Sequence, residues 1–142
     1  MAIGTDDAVL KIGTQTEVTS GTPAAISSGA FGLADQGGTV AWANADDVEL
    51  AAAVLKCQFA TMPTVGSIGL YARLLDVQST NDLAAPASNF PAIFCGSFPI
   101  NFGAGNATNF WTVIHEFAIP IITTAQKIDW YLKNEATAQT IS

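Results

Sequence analysis

The run Ile68-Gly-Leu-Tyr-Ala-Arg-Leu-Leu75 decides the fold class of this chain. Ile68, Leu70, Ala72 and Leu74 alternate with Gly69, Tyr71, Arg73 and Leu75. A period of two places the first set on one face of a strand and the second on the other. The same alternation recurs along the chain. Leu55, Cys57 and Phe59 alternate with Lys56 and Gln58, and Ile128, Trp130 and Leu132 with Asp129, Tyr131 and Lys133. Trp111, Val113, His115 and Phe117 alternate with Thr112, Ile114 and Glu116, which predicts a core-facing set containing Trp111 and His115. Shorter strands are expected at residues 9–12, 17–19, 39–43, 92–100 and 138–141. Ala51, Ala52 and Ala53 favour helix, but residues 48–56 lead unbroken into the alternating 55–59, so they read as one long strand.

Turn chemistry separates these runs. Residues 61–66 (Thr-Met-Pro-Thr-Val-Gly) suit a hairpin-type loop, 76–89 a longer polar loop, and 103–108 a turn region. About eight strands with turns between them imply an all-β fold, an antiparallel β-sandwich, with a jelly roll as the expected form. The first 38 residues are small, polar and Gly-rich and read as an N-terminal arm or loops. The core is expected over 39–142, within a single domain spanning 1–142.

Composition narrows the function. The 142 residues are 49% hydrophobic and only 12% charged, with a net charge of −7. Soluble domains carry about 25% charged residues. Disorder needs the opposite balance. No two Lys or Arg lie within five residues of each other, which argues against nucleic acid and anionic membrane as partners. The longest uncharged stretch, 83–115 up to its histidine, is broken by Pro86, Pro91 and Pro99 and by several Gly and Asn, so no helical span is expected. The start, Met-Ala-Ile-Gly-Thr-Asp-Asp, lacks a basic and an apolar region, so the expectation is a chain made inside the cell without a secretory signal.

Groups able to carry chemistry are few. His115 is the only histidine, and its parity places it among apolar neighbours as a core or interface residue. Cys57 and Cys95 are read as free thiols, with Cys57 packed as a small hydrophobe between Leu55 and Phe59. A structural zinc site needs four Cys or His ligands and is excluded. Asp46, Asp47 and Glu49 cluster, and Asp76 and Asp82 bracket a loop, but no calcium-loop spacing is present, so they read as solvated carboxylates. A glycosidase needs two carboxylates converging on a cleft, for which a sandwich of this size leaves little room. Asn106-Ala-Thr108 and Gly103-Ala-Gly105 lack the context of a glycosylation or phosphate site. No catalytic residue, metal or cofactor is therefore expected. Trp111 and Trp130 follow core parity, whereas Tyr71 and Tyr131 take the outward parity and are the candidate platform for a sugar ligand.

Apolar surface is abundant instead. Leu75 shares its face with Tyr71 and Arg73, and parity sets Phe94 and Phe98 opposite Ile93 and Cys95. Strands apolar on both faces suit burial against another subunit. The stretch 63–142 resembles a family of small virion proteins of tailed bacteriophages. The resemblance lies in Pro63-Thr-Val-Gly-Ser-Ile-Gly-Leu-Tyr-Ala-Arg-Leu-Leu-Asp-Val77 with its polar loop, in Phe94-Cys-Gly-Ser-Phe-Pro-Ile100, and in Ile128-Asp-Trp-Tyr-Leu-Lys-Asn134 with the short strand that follows. It implies a β-sandwich protein that decorates or cements the capsid, located on the capsid surface of the virion after synthesis in the host bacterial cytoplasm. Its partners would be the major capsid protein and itself, as a homo-oligomer, with a trimer favoured. Expected contact residues are Ile3, Val9, Leu10 and Ile12 on the arm and Tyr71, Leu75, Phe94 and Phe98 on the sandwich. A carbohydrate-binding sandwich in host attachment and a tail or neck component are the alternatives.

Overall fold

The computed structural model describes residues 25–34, 42–43, 49–75, 83–85, 93–101, 103–120, 127–135 and 137–141. Every regular element among them is a strand: β1 (Phe31–Leu33), β2 (Trp42–Ala43), β3 (Leu50–Cys57), β4 (Ser67–Leu75), β5 (Ile93–Pro99), β6 (Ala104–Asn106), β7 (Asn109–Ala118) and β8 (Lys127–Glu135). All pairings are antiparallel and form two sheets. The larger runs β1-β8-β4-β5, and its β8 pairs with β4 from Leu75↔Lys127 to Ser67↔Glu135. The other edge of β8 is shared by β1, at Phe31↔Lys133 to Leu33↔Tyr131, and by β2, at Trp42↔Ile128. The smaller sheet runs β3-β7-β6.

The inner faces of both sheets build one core. Ile68, Leu70, Ala72 and Leu74 of β4 and Ile128, Trp130 and Leu132 of β8 are buried from one side, and Leu55, Phe110, Ile114 and Phe117 from the other. Burying each large aliphatic or aromatic side chain contributes about 1.5–3 kcal/mol. Phe117 meets Trp130 edge-on across the two sheets at 5.7 Å, and the buried Thr112 hydroxyl of β7 donates to the Pro99 carbonyl of β5 at 3.0 Å.

Two bulges break the period-two pattern. Between β3 and β7 the register moves from Ala51↔Phe117 to Ala53↔Ile114, so His115 and Glu116 together face Ala52. One extra residue reverses side-chain parity beyond it. The core face of β7 is therefore Phe110, Thr112 and Ile114, then Phe117 past the bulge. This corrects the expectation for Trp111, Val113 and His115: Trp111 is 45% exposed, His115 is exposed and Val113 is half-buried on the outer face. Between β4 and β5 the register moves from Leu70↔Gly96 to Tyr71↔Phe94, with Cys95 as the extra residue. Phe98, expected at an interface, consequently opposes Ile68 and is buried in the core, while Phe94 opposes Tyr71 on the outer face.

Residues 103–108, expected only as a turn, contain the strand β6 and the two-residue loop that leads into β7. Asn106↔Asn109 closes the hairpin, and Asn106 Oδ1 accepts from the Thr108 N–H at 3.0 Å. Gly105 sits at φ +102°, a conformation that favours glycine. The chain before 39 also contributes more than loops. Ile26 is a core residue and β1 is a strand of the larger sheet. Ile3, Val9, Leu10 and Ile12, and the strands expected at 9–12 and 17–19, lie outside the described residues.

A polar clasp ends the described chain. Asn134 is fully buried. Its amide donates to the carbonyls of Ile26 at 2.9 Å and Gln139 at 2.6 Å, and its Oδ1 accepts from the Thr137 hydroxyl at 2.6 Å. The clasp turns the backbone through Ala138 at φ +56°. It delivers Ile141 to bridges with both Ile26 and Phe59. The strand expected at 138–141 is thus reduced to this single bridging residue.

Candidate functional site

Two outward sheet faces hold the candidate residues. On the larger sheet, odd-numbered positions of β4 and β8 point away from the core. Gly69 is the local determinant: a Cβ there would come within 2.5 Å of Tyr71 Cε2, so the missing side chain lets the Tyr71 ring lie across its own strand. The ring then reaches Phe31 on one side, edge-on at 5.1 Å, and Phe94 on the other, edge-on at 5.3 Å. Edge-to-face pairs of this kind add about 0.5–1.5 kcal/mol each beyond burial. The Tyr71 hydroxyl donates to Glu135 Oε1 at 2.7 Å. Burial, then this hydrogen bond and the Glu135 charge, push the Tyr71 hydroxyl up to about 12. Tyr131, directly opposite Tyr71, is buried.

Two charge pairs stand on this face. Arg73 Nη1 lies 3.1 Å from Asp129 Oδ2, and its Nε donates to the Leu83 carbonyl at 2.7 Å, tying residue 83 to the sheet. Lys133 Nζ stands 3.7 Å from Glu135 Oε1 and 5.4 Å from the centre of the Phe31 ring. Leu75 is half-buried at the end of β4, and Phe94 stands out as the exposed aromatic at 56%. The structure thus brings Tyr71 and Phe94 together with Phe31, which sequence reasoning assigned to the arm. The signal that could have found Phe31 is the short apolar run Phe31-Gly-Leu33 bounded by Gly29 and by Asp35-Gln-Gly-Gly38.

The outer face of the smaller sheet is different in character. Leu50 and Val54 of β3 are 53% and 52% exposed, and Trp111 of β7 stands in the same face with Val113 beside Val54. Lys56 lies opposite Trp111, and His115 and Glu116 are exposed at the bulge. Sequence reasoning missed this patch because it placed Trp111 inside.

Among the described residues, no three His, Cys, Asp or Glu stand close enough to hold a metal ion. Asp46, Asp47, Asp76 and Asp82 lie outside the described residues. Burial pushes the Cys57 thiol up to about 12 and the Cys95 thiol to about 11, a hydrogen bond from Ala72 lowering the latter in part. Both cysteines are free and half-buried. No helix among the described residues is long and apolar enough to cross a membrane. Neither protein-family models, nor curated proteins, nor solved structures give a match to this chain.

Proposed function

We propose that this chain is a structural protein of a tailed-bacteriophage virion, a decoration or cement protein that binds the assembled capsid. The observation that carries the proposal is the apolar outer face of the smaller sheet, where Leu50, Val54 and Trp111 are each about half exposed. Large solvent-facing apolar patches mark surfaces that bind other proteins. The two sheets, sharing one core, suit the β-sandwich of jelly-roll type that the resemblance implies. The protein binds a site that exists only on the assembled shell, and so stabilises the assembled state by mass action. Its contacts are apolar, with the N-terminal residues Ile3, Val9, Leu10 and Ile12 as additional anchors. Copies associate with one another on the capsid surface, a trimer being the arrangement that the resemblance implies.

The sugar-binding reading has less support. A sugar platform needs open aromatic faces with free polar groups beside them. Tyr131 is buried, and the Tyr71 hydroxyl is already bonded to Glu135.

Co-sedimentation tests the proposal. The chain is expected to pellet with assembled heads of the phage that encodes it and to leave the unassembled capsid subunit in the supernatant. Trp111→Asp is expected to abolish pelleting while leaving the fold intact. Failure to bind assembled heads overturns the reading, and recovery on tails instead assigns the chain to the tail or neck.

A further inference from the structure

We propose that β3 pairs with β3 of a second copy, antiparallel about a two-fold axis at Ala52, joining two smaller sheets into one continuous sheet. Exposed strand edges are sites of uncontrolled pairing, and folded proteins protect them by shortness, bulges, proline or charge. Among the described residues, the other sheet edges are protected in these ways. β1, β2 and β6 have three residues or fewer, and β5 is bulged at Cys95 and ends on Pro99. β3 has eight residues, no proline and no bulge of its own, since the extra residue of its pairing lies on β7. Among the described residues, its only neighbouring strand is β7.

The backbone shows which groups face the open side. The Glu49 carbonyl accepts from the Ile119 N–H at 2.9 Å, and the Phe59 N–H donates to the Ala107 carbonyl at 2.6 Å. Odd positions at both ends of the strand are thus turned toward β7 and the loop that leads into it. Ladder direction alternates along a strand, so Leu50, Ala52, Val54 and Lys56 direct their N–H and C=O groups to the open side. Beyond them, the bridge between Phe59 and Ile141 limits the stretch without a neighbouring strand among the described residues to β3 itself.

This edge complements itself. With Ala52 opposite Ala52 of the second copy, Leu50 falls opposite Val54 and Val54 opposite Leu50. The two largest exposed apolar side chains of the strand then cover each other, while the smallest residue sits at the axis. Three facing pairs exchange about six backbone hydrogen bonds. Lys56, the only charge within β3, is carried to the end where the second copy presents the exposed Glu49. The contact is two-fold, additional to any three-fold one, and does not depend on the capsid reading.

Light scattering on the purified full chain tests it. The parent protein is expected to show an even number of chains. Ala52→Lys places like charges opposite each other at the axis and is expected to halve the particle mass. Val54→Lys should do the same, while Trp111→Lys, on the same face but away from the edge, should leave the mass unchanged. Ala52→Cys treated with a short bismaleimide should give a two-chain product far above that of Val65→Cys, an exposed control outside β3. Circular dichroism confirms that each variant is folded. A parent protein with the mass of one chain, or a mass that Ala52→Lys leaves unchanged, overturns the proposal.

Discussion

Asn134 ties three partners to one fully buried side chain. Its buried amide holds the carbonyls of Ile26 and Gln139 and its Oδ1 holds the Thr137 hydroxyl, so Asn134→Ala strands three partners at once. Leaving buried polar groups unpaired costs about 1–3 kcal/mol each, partly relieved by relaxation. Asn134→Ala is therefore expected to lower unfolding free energy by roughly 3–5 kcal/mol in urea titrations. Thr137→Val, which spares the amide bonds, should lose about 1–2 kcal/mol. The Tyr71 hydroxyl makes a pH-dependent contribution. Its ordinary value of 10 rises to about 12 in the fold, so the folded state holds the proton more tightly. That contribution is complete below about pH 10 and is lost as pH rises through 12. Tyr71→Phe should flatten this part of the alkaline stability profile, and an unchanged profile would show that burial and the Glu135 contact do not hold the proton more tightly in the fold. Cys57 and Cys95 behave alike in direction, with thiols at about 12 and 11 against an ordinary 9. Native protein near neutral pH should alkylate at least about 100-fold more slowly than denatured protein.

At the scale of the element, β7 shows what a bulge does to a pattern. Phe110 is fully buried and Trp111, next to it, is half exposed. Phe110→Ala is expected to cost about 3–5 kcal/mol, whereas Trp111→Ala should stay within about 1 kcal/mol. Equal losses in urea unfolding would show that the parity drawn from the bulge is wrong. The alternation of β4 and β8 was legible in the sequence because nothing interrupts it: Ile68, Leu70, Ala72 and Leu74, and Ile128, Trp130 and Leu132, are buried as the period requires, although Tyr131, expected as an open outward platform, is buried as well. The alternation of β5 and β7 was not. The bulge at His115 and Glu116 exists because of pairing with Ala52, more than sixty positions earlier, and no local residue signals it. The same holds for Cys95 against the Leu70-Tyr71 step. The Phe31–Tyr71–Phe94 group was half legible: Tyr71 and Phe94 stand in clear strands, but Phe31 lies in a Gly-rich stretch that reads as an arm. Its strand exists because β8 offers an edge to it.

Across the whole molecule, the sparse charge is distributed unevenly. Three of the five cations, Arg73, Lys127 and Lys133, stand on the larger sheet, where Arg73 and Lys133 are matched by Asp129 and Glu135. The smaller sheet presents Leu50, Val54 and Trp111 to solvent instead. The two sheets are held together at their far end by Ile141, through its bridges to Ile26 and Phe59. Ile141→Ala should cost about 2–5 kcal/mol. The charge distribution also decides how self-association responds to salt. Each copy carries −7, so two copies approaching one another repel. An interface held by ion pairs weakens as salt screens them, but an interface of backbone hydrogen bonds and apolar side chains gains because only the repulsion is screened. The β3 edge is mainly of the second kind, with Lys56 near the second copy's Glu49 as its only ionic contact at each end. The dissociation constant for self-association is therefore expected to fall by several-fold from low to physiological ionic strength and to level off once the Debye length is about 8 Å. Sedimentation velocity over a dilution series at each salt concentration measures this. Association that weakens steadily with salt would place the contact on a charged surface and take it away from β3.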